Sequence, residues 1–434
     1  MKLFVRSLFL LVLSSVTTGE IYVQPEQVHL SYGAEPSEMM VTWTTFNWTN
    51  ESMVEYGVGR PRHRTAGNCT KFTDGGQQHR TLFIHRVLLT GLKPNTLYRY
   101  HCGNDRHGWS PIFWFRTMPV STWSPVLAVY GDMGNVNAQS LPFLQEEAQN
   151  GSIHAVLHVG DFAYDMDTNE ARVGDEFMRQ IEPVAAYVPY MTCVGNHENR
   201  YNFSNYVNRF SMIDQRSRKI NNHFFSFNIG PAHVIGFSTE FYFFVNYGFE
   251  QIAHQYQWLE EDLKEASKPE NRARHPWIIT MGHRPMYCSN NDRDDCTFNE
   301  SIVRKGLPIL HLYGLEDLFH KYGVDLELWA HEHSYERLWP VYDRKVYNGS
   351  YDAPYTNPGA PVHIVTGSAG CQERLDPFVP HPRPWSAVRI SDYGYSRMTL
   401  HNATHLTLEQ LSAEKEGQIL DKITIEKASH GPYV

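Results

Sequence analysis

The sequence predicts an all-β sandwich followed by a larger α/β domain. Three observations support this fold class. The chain has 434 residues, which is enough for two or three domains at roughly 150 residues per domain. Up to about residue 117 the chain shows short alternating apolar runs separated by turn residues, with no helical period. From Val126 onward, apolar strands alternate with helical stretches, which indicates an α/β domain with much parallel pairing.

Residues 20–120 make up the predicted sandwich, which we expect to be of the fibronectin type III kind. Met39–Trp43 and Thr96–Tyr100 alternate as strands do, and Gly91–Thr96 has the composition of a turn between strands. Met118–Pro125 contains two prolines and no periodicity. We therefore predict a linker there.

The second domain, residues 126–434, is predicted to contain five apolar strands that matter for function. Helices are expected at Tyr256–Ala266 and Leu315–Lys321. Strand-like runs return after Pro361, at Val362–Thr366, Met398–Leu400 and Lys422–Ile425, and predict that the second sheet is completed late in the chain. The five strands are predicted at Val126–Tyr130, Ala155–Val159, Met191–Val194, Trp277–Met281 and Leu326–Ala330.

The N-terminus predicts a secreted protein. Lys2 and Arg6 precede an apolar run at residues 8–13 and a small-residue stretch, so residues 1–19 are predicted to be a cleaved signal peptide. A membrane anchor is the alternative, but the run is far shorter than the roughly 20 residues that span a bilayer. An extracellular or lumenal location agrees with eight predicted glycosylation sites, at Asn47, Asn50, Asn68, Asn150, Asn202, Asn299, Asn348 and Asn402.

Charge and cysteine content exclude several classes of protein. The net charge is -9 and no dense Lys/Arg run occurs, which argues against a nucleic-acid partner or an anionic membrane surface. Six cysteines without a C-x-x-C pair form neither a disulfide scaffold nor a zinc site. Cys288 and Cys296 flank a polar stretch and are one possible disulfide, whereas Cys193 is expected to be a buried thiol. The pairing and the oligomeric state stay open.

Each of the five strands is followed at once by a short polar cluster. Ligand sites in α/β sheets lie beyond the carboxyl ends of the strands, so we expect the clusters to converge. Asp, Asn, Tyr and His are all competent metal ligands, and the glycine that precedes the ligand in four clusters is expected to let the backbone turn sharply. Singly, each cluster has an ordinary explanation, such as a helix cap or a core histidine. The five clusters are Gly131–Gly134, Gly160–Tyr164, Gly195–Glu198, Gly282–His283 and His331–His333.

Together the clusters resemble the motifs of the calcineurin-like metallophosphoesterases, and within them the purple acid phosphatases. The family blocks are D-x-G, G-D-x-x-Y, G-N-H-[DE], a strand ending in His, and G-H-x-H; the last block here has Ala330 in place of Gly. The resemblance covers nearly the whole mature chain and is greatest to the long animal iron/zinc form. It implies a fibronectin type III-like sandwich followed by a calcineurin-like domain with two central β-sheets flanked by helices.

The resemblance also implies a ligand set for two metal ions. Two carboxylates and a phenolate suit a trivalent ion such as Fe(III), so the first site is expected to hold iron. Neutral imidazoles and an amide suit a divalent ion, so the second site is expected to hold Zn, Fe(II) or Mn. The first ion would take Asp132, Asp161, Tyr164 and His333, and the second would share Asp161 and take Asn196, His283 and His331.

Position 134 discriminates within the superfamily. Relatives such as the Ser/Thr protein phosphatases and many phosphodiesterases have a histidine there, whereas this chain has Gly134. We expect Tyr164, three residues after Asp161, to replace the missing imidazole.

Asn196 is expected to bind the substrate as well as the second ion, and two further residues are expected near the substrate. By resemblance, His197 hydrogen-bonds the phosphate or protonates the leaving oxygen, and the alternative is that it only orients a metal ligand. Arg293 stands where plant enzymes of the family have a second histidine. An arginine binds phosphate but does not donate its proton, and the alternative is a solvated loop charge.

The resemblance implies a secreted acid phosphatase that hydrolyses small phosphate monoesters by attack of a metal-bound hydroxide. One alternative is a phosphodiesterase or nucleotide pyrophosphatase of the same fold. Another is a secreted binding protein without activity, which the presence of all seven ligand positions disfavours.

Overall fold

A computed structural model of the chain describes residues 21–291, 295–298 and 300–433. The predicted signal peptide, Arg293 and Asn299 lie outside these residues. The N-terminal strands form two antiparallel sheets, ordered β1-β2-β6-β5 and β4-β3-β7-β8, and β9 pairs with β7. Trp43 from one sheet and Tyr100 from the other belong to one buried core, so the predicted sandwich is confirmed. The strands are β1 (Glu26–Tyr32), β2 (Met39–Thr45), β3 (Met53–Gly57), β4 (His63–Ala66), β5 (Asn68–Thr73), β6 (Thr81–Leu89), β7 (Leu97–Asn104), β8 (Gly108–Trp109) and β9 (Phe113–Arg116).

Residues 117–125 contain neither helix nor strand, and the α/β domain follows them. Its helices are α1 (Leu141–Asn150), α2 (Thr168–Ala185), α3 (Arg200–Arg209), α4 (Glu250–Ala266), α5 (Pro269–Arg272), α6 (Asp295–Phe298), α7 (Ile302–Lys305) and α8 (Glu316–Tyr322). Its strands are β10 (Val126–Tyr130), β11 (Ala155–Val159), β12 (Tyr190–Cys193), β13 (Phe225–Ile229), β14 (Ala232–Gly236), β15 (Trp277–Met281), β16 (Gly306–Leu307), β17 (Leu312–Tyr313), β18 (Leu326–Trp329), β19 (Tyr335–Leu338), β20 (Val341–Tyr342), β21 (Lys345–Val346), β22 (Val362–Thr366), β23 (Ser386–Ile390), β24 (Gly394–Leu400), β25 (His405–Ser412) and β26 (Gln418–Glu426).

Two mixed sheets form the centre of this domain. The six-stranded sheet has the order β12-β11-β10-β24-β25-β26, and the seven-stranded sheet has the order β13-β14-β15-β18-β22-β19-β23. Strands β10 to β12 are parallel, as are β14, β15, β18 and β22. The apolar residues of these parallel strands are buried on both faces, which explains their uninterrupted hydrophobic runs. The two central sheets agree with the predicted fold class.

The late strands are divided between the two sheets. We predicted that they complete the second sheet, and this is right for β22. It is wrong for the runs at Met398–Leu400 and Lys422–Ile425. Strand β24 pairs antiparallel with β10, so β24, β25 and β26 belong to the six-stranded sheet and not to the seven-stranded one. The chain therefore returns to its first central strand before it ends.

The sandwich packs on the α/β domain through β1 and α2. The Tyr100 hydroxyl donates to the Ala186 carbonyl at 2.7 Å, and the Val28 amide donates to Glu182 Oε2 at 2.8 Å. Residues of both domains belong to one continuous hydrophobic core. These contacts fix the sandwich against the six-stranded sheet. The site lies elsewhere, at the carboxyl ends of the parallel strands of that sheet.

A buried charge network lies in the same interface. The Arg209 side chain, 1% exposed, donates to Asp175 Oδ1 at 2.9 Å and to Gln27 Oε1 at 3.3 Å. Asp175 Oδ2 also pairs with Arg80, which precedes β6 of the sandwich, at 2.5 Å. One carboxylate therefore pairs with two guanidinium groups that come from different domains.

The cysteines are as predicted where the structure describes them. Cys288 and Cys296 form a disulfide, and Cys193 is a buried free thiol. Across the described ranges, no helix combines the length and the hydrophobicity needed to cross a bilayer.

Candidate metal centre

The five polar clusters converge, but they come from two sheets rather than from one sheet edge. Three clusters follow β10, β11 and β12 of the six-stranded sheet, and two follow β15 and β18 of the seven-stranded sheet. Hydrogen bonds donated by backbone amides join the two sheets at this point. The Gly131 amide donates to the Thr366 carbonyl at 2.9 Å, and the His331 amide donates to Asp132 Oδ2 at 3.0 Å. The site thus lies where the two sheets meet.

The first group of side chains consists of Asp132, Tyr164 and His333. The Tyr164 hydroxyl lies 3.2 Å from Asp132 Oδ1 and 3.0 Å from His333 Nε2. His333 Nε2 is 3.5 Å from the same carboxylate oxygen. The three donor atoms therefore face one point, as ligands of one ion do.

The second group consists of Asp161, Asn196, His283 and His331. His283 Nε2 lies 3.2 Å from Asp161 Oδ2 and 3.2 Å from Asn196 Oδ1. One donor atom from each of Asp161, His283 and His331 can be chosen so that all lie within 4.8 Å of one another. The structure thus brings all seven predicted residues together in two adjacent groups.

Backbone carbonyl groups orient two of the imidazoles. His283 Nδ1 lies 2.8 Å from the Val159 carbonyl oxygen, and His333 Nδ1 lies 2.9 Å from the Arg374 carbonyl oxygen. A carbonyl only accepts, so each Nδ1 carries a hydrogen and each Nε2 is the ring nitrogen that faces the site. A metal ion at the site would replace the proton on Nε2 and leave the Nδ1 hydrogen bond in place.

The sharp turns are made by the site residues more than by the preceding glycines. Gly160 has a positive φ of 84°, but the other three glycines before the clusters do not. Our expectation for those three was therefore wrong. Positive φ values cost about 1–3 kcal/mol each in non-glycine residues, and residues that have them concentrate at functional sites. The site residues with positive φ are Asp132 (58°), Asp161 (52°), Tyr164 (50°) and His331 (71°).

The remaining glycines are needed for space. A Cβ at Gly195 would lie 2.5 Å from the Asp161 backbone nitrogen and closer still to its carboxylate. A Cβ at Gly131 would collide with the methyl group of Ala330, the residue that departs from the family motif. Ala330 is fully buried, so its methyl group fills the room that Gly131 leaves.

Position 134 is crowded and has a positive φ, which disfavours a side chain there. Gly134 has φ 70°, and a Cβ there would lie 3.0 Å from Cys371 Cα and 3.5 Å from Cδ2 of the Tyr164 ring. The phenol of Tyr164 instead reaches Asp132 and His333. The geometry agrees with the expected exchange of a histidine for a tyrosine.

The electrostatics of the site favour cations. Asp132 and Asp161 are 0% and 1% exposed, so two carboxylates are buried beside a phenol. Burial, together with the charges of Asp132 and Asp161, raises the pKa of Tyr164 well above its ordinary value. Burial alone would lower the pKa of His283, but Asp161 raises it to about 9. A set of carboxylates, imidazoles, an amide and a phenol under this negative potential fits two metal ions.

His197 lies at the edge of the centre. Its Nδ1 is 2.7 Å from Asp165 Oδ1, and its Nε2 is 3.9 Å from Asp161 Oδ2. Its backbone amide donates to Asp161 Oδ1 at 2.9 Å. Burial alone would lower the pKa of His197, but Asp161 and Asp165 raise it to about 10. The imidazole is therefore held by Asp165 and has Nε2 available as a donor.

Sequence reasoning missed three residues that support the site. Glu198 accepts the backbone amides of Asp161, Phe162 and Gly195 at 2.9–3.0 Å and so ties the loop after β11 to the loop after β12. Arg284 Nη1 lies 2.9 Å from His331 Nε2. Asp165 and Arg284 each directly follow a predicted ligand, and Glu198 is the last residue of its cluster. Their positions in the sequence could therefore have indicated that they lie near the site. Arg293 lies outside the described residues.

Comparison with known proteins agrees with this geometry. Three protein-family models match the chain: the purple acid phosphatase N-terminal domain over residues 25–117, the calcineurin-like phosphoesterase over residues 125–335, and the iron/zinc purple acid phosphatase-like protein C over residues 360–422.

Among similar proteins, acid phosphatase type 7 of Danio rerio is 54% identical over 419 residues, which is 95% of this chain and 93% of that protein. Acid phosphatase type 7 of Homo sapiens is 56% identical over 411 residues, 94% and 92% of the respective chains. The structure of a purple acid phosphatase from yellow lupin seeds superposes with a TM-score of 0.77 at 26% identity, covering 93% of this chain and 74% of that one.

Proposed function

Because this chain belongs to the purple acid phosphatase family, we propose that it is a secreted acid phosphatase that hydrolyses small phosphate monoesters at the centre described above. The observation that carries the proposal is the position of Tyr164. Its hydroxyl contacts both Asp132 and His333 beside Gly134, where a Cβ would lie 3.0 Å from Cys371 Cα. This arrangement separates the purple phosphatases from the other phosphoesterases of the same fold.

We assign iron to the group of Asp132, Tyr164 and His333, with Asp161 shared between the two ions. Zn, Fe or Mn is assigned to the group of Asn196, His283 and His331. When bound, two such ions neutralise phosphate charge and lower the pKa of a water molecule. The assignment rests on the donor chemistry, because hard anionic ligands collect in the first group and imidazoles in the second.

His197 acts on the leaving group in this proposal. Asp165 fixes the ring through Nδ1, so Nε2 donates to the phosphate or to the leaving oxygen. Glu198 holds the two loops that carry Asp161 and Asn196 at a fixed separation. The chain thus supplies the proton donor and its orientation.

Secretion is proposed from the N-terminal sequence and from the surface. The Cys288–Cys296 disulfide is typical of an oxidising compartment. Every sequon asparagine that the structure describes is exposed and accessible to glycosylation. These are Asn47, Asn50, Asn68, Asn150, Asn202, Asn348 and Asn402.

The function is tested by comparing matched substrates. Purified protein with its natural metals should hydrolyse para-nitrophenyl phosphate much faster than bis-para-nitrophenyl phosphate, with the maximum rate at acid pH. Metal analysis of the same sample should give two ions per chain, at least one of them iron. A preference for the diester would favour a phosphodiesterase, and the absence of both activities would favour a binding protein.

Replacing His197 by glutamine is expected to lower kcat by about 10²–10³-fold, because general acid catalysis typically contributes 10²–10⁴-fold. The loss should be largest for an alkyl phosphate, whose leaving oxygen needs the proton, and smaller for para-nitrophenyl phosphate. Steady-state kinetics with both substrates checks this. His254→Gln, an exposed histidine on α4, is the control. An equal loss for both substrates would instead assign His197 to phosphate binding.

Replacing Tyr164 by phenylalanine is expected to remove the colour of the oxidised, iron-containing protein, because a phenolate bound to Fe(III) absorbs visible light. Phe keeps the ring, so packing against His197 is preserved. Visible absorption and circular dichroism of the folded variant are the measurements, with the exposed Tyr351→Phe as the control. A band that survives the substitution would show that the phenol of Tyr164 is not the ligand.

A further inference from the structure

The segment 371–376 is fixed at the rim of the metal centre by contacts on both sides. The Arg374 carbonyl accepts from His333 Nδ1 at 2.9 Å, and Asp376 Oδ2 accepts from the His333 backbone amide at 2.6 Å. The Cys371 amide donates to the Met133 carbonyl at 2.8 Å. Cys371 and Arg374 both have positive φ values, 57° and 77°. The segment therefore has a defined conformation, although it contains neither helix nor strand.

This segment places Glu373 beside the proposed proton donor. Glu373 Oε1 lies 3.8 Å from His197 Nε2, and its side chain is 49% exposed. Asp165, also 49% exposed, contacts Nδ1 of the same ring. Two partly solvated carboxylates thus flank the imidazole that faces the leaving oxygen, and Glu373 stands on the side of Nε2.

We propose that Glu373 determines substrate specificity by the charge of the leaving group, so that monoesters with a cationic or neutral leaving group are preferred over those with an anionic one. The inference rests on the proposed function, because it takes His197 as the group next to the leaving oxygen. A leaving group bonded to that oxygen must pass within a few ångströms of Glu373. A negative charge there is repelled and a positive charge is attracted.

Two other charged residues, Arg374 and Arg284, belong to the segments that line the site. Arg374 is exposed, and its carbonyl is the group that contacts His333. Arg284 lies at the second group, where its Nε donates to Glu240 Oε2 at 3.1 Å. Within the segment 371–376, Glu373 is the charged side chain that lies next to His197. Removing the charge of Glu373 is therefore expected to change selectivity more than removing the charge of Arg374.

The experiment uses three substrates of similar size. Phosphoethanolamine has a cationic leaving group, glycerol 2-phosphate a neutral one, and phosphoglycolate an anionic one. The full protein with its natural metals should show the highest kcat/KM for phosphoethanolamine and the lowest for phosphoglycolate. Glu373→Gln should reduce the ratio between these two by about tenfold, mainly through KM, and Glu373→Lys should invert the order. The wild-type ratio should also fall as salt concentration rises.

Two variants serve as controls. Glu270→Gln removes an exposed carboxylate before β15, at the opposite end of the strand from His283, and should leave the ratio unchanged. Arg374→Gln should increase the preference for phosphoethanolamine or leave it unchanged.

The outcomes separate the two proposals. A ratio that Glu373→Gln does not change, in protein that hydrolyses all three substrates, would overturn the specificity role and leave the proposed function intact. If the protein hydrolysed neither the three substrates nor para-nitrophenyl phosphate, the proposed function would be refuted, and the specificity role with it. A tenfold change that Glu270→Gln does not reproduce would support both.

Discussion

Asp161→Asn is expected to lower kcat/KM for phosphate monoesters by at least about 10³-fold and to reduce the bound metal to one ion or fewer per chain. The carboxylate of Asp161 is 1% exposed, contacts His283 in the second group and raises the pKa of Tyr164 in the first. Metal ions contribute several kcal/mol to transition-state stabilisation, and about 4 kcal/mol corresponds to roughly 10³-fold in rate.

The substitution isolates charge from shape. Asparagine has nearly the same size and keeps an oxygen that can accept the His197 amide, which now donates to Asp161 Oδ1. Metal content by mass spectrometry and steady-state kinetics are measured together, with the exposed Asp352→Asn as the matched control. Two retained ions with full activity would show that Asp161 does not serve both sites.

Asp175→Ala is expected to lower the free energy of unfolding by about 3–5 kcal/mol. The substitution leaves Arg209 buried at the interface without its carboxylate, and breaking a buried ion pair on one side costs about this much. Arg80, from the sandwich, loses its partner in the same step. The loss therefore weakens the contact between the two domains as well as α2 itself.

Urea denaturation followed by tryptophan fluorescence measures the effect. Glu176→Ala changes an exposed carboxylate one residue further along α2 and should cost less than about 0.5 kcal/mol. Asp175→Asn keeps a hydrogen-bond acceptor and should lie between the two. If Asp175→Ala were no less stable than Glu176→Ala, the buried network would contribute nothing to stability.

The fold could be predicted best where burial is uniform. Val126–Tyr130, Ala155–Val159 and Trp277–Met281 have the predicted bounds, because strands buried on both faces are continuous apolar runs. Helix α4 begins at Glu250 rather than at Tyr256, because its first turn is largely polar and buries little besides Ile252. The sheet that β24 joins could not be read from the sequence, since its alternation fits either partner.

The site could be predicted where its residues follow strands, and all seven proposed ligands do. The supporting contacts could not be predicted in the same way. Glu373 and the Arg374 carbonyl reach the site from a segment without periodicity, and His333 is about 40 residues away in the chain. The positive φ values of the site residues also could not be predicted from the sequence, because they are imposed by tertiary contacts and not by a local sequence pattern.

The origin of the site from two sheets has a thermodynamic consequence. Ions held between the loops of the six-stranded and seven-stranded sheets bind only when both sheets are in place, so their binding free energy adds to the stability of the folded state. At a free metal concentration of 100 times Kd this amounts to about 2.7 kcal/mol per site. We therefore expect the chain to resist unfolding more strongly in a metal-rich compartment than in a metal-poor one.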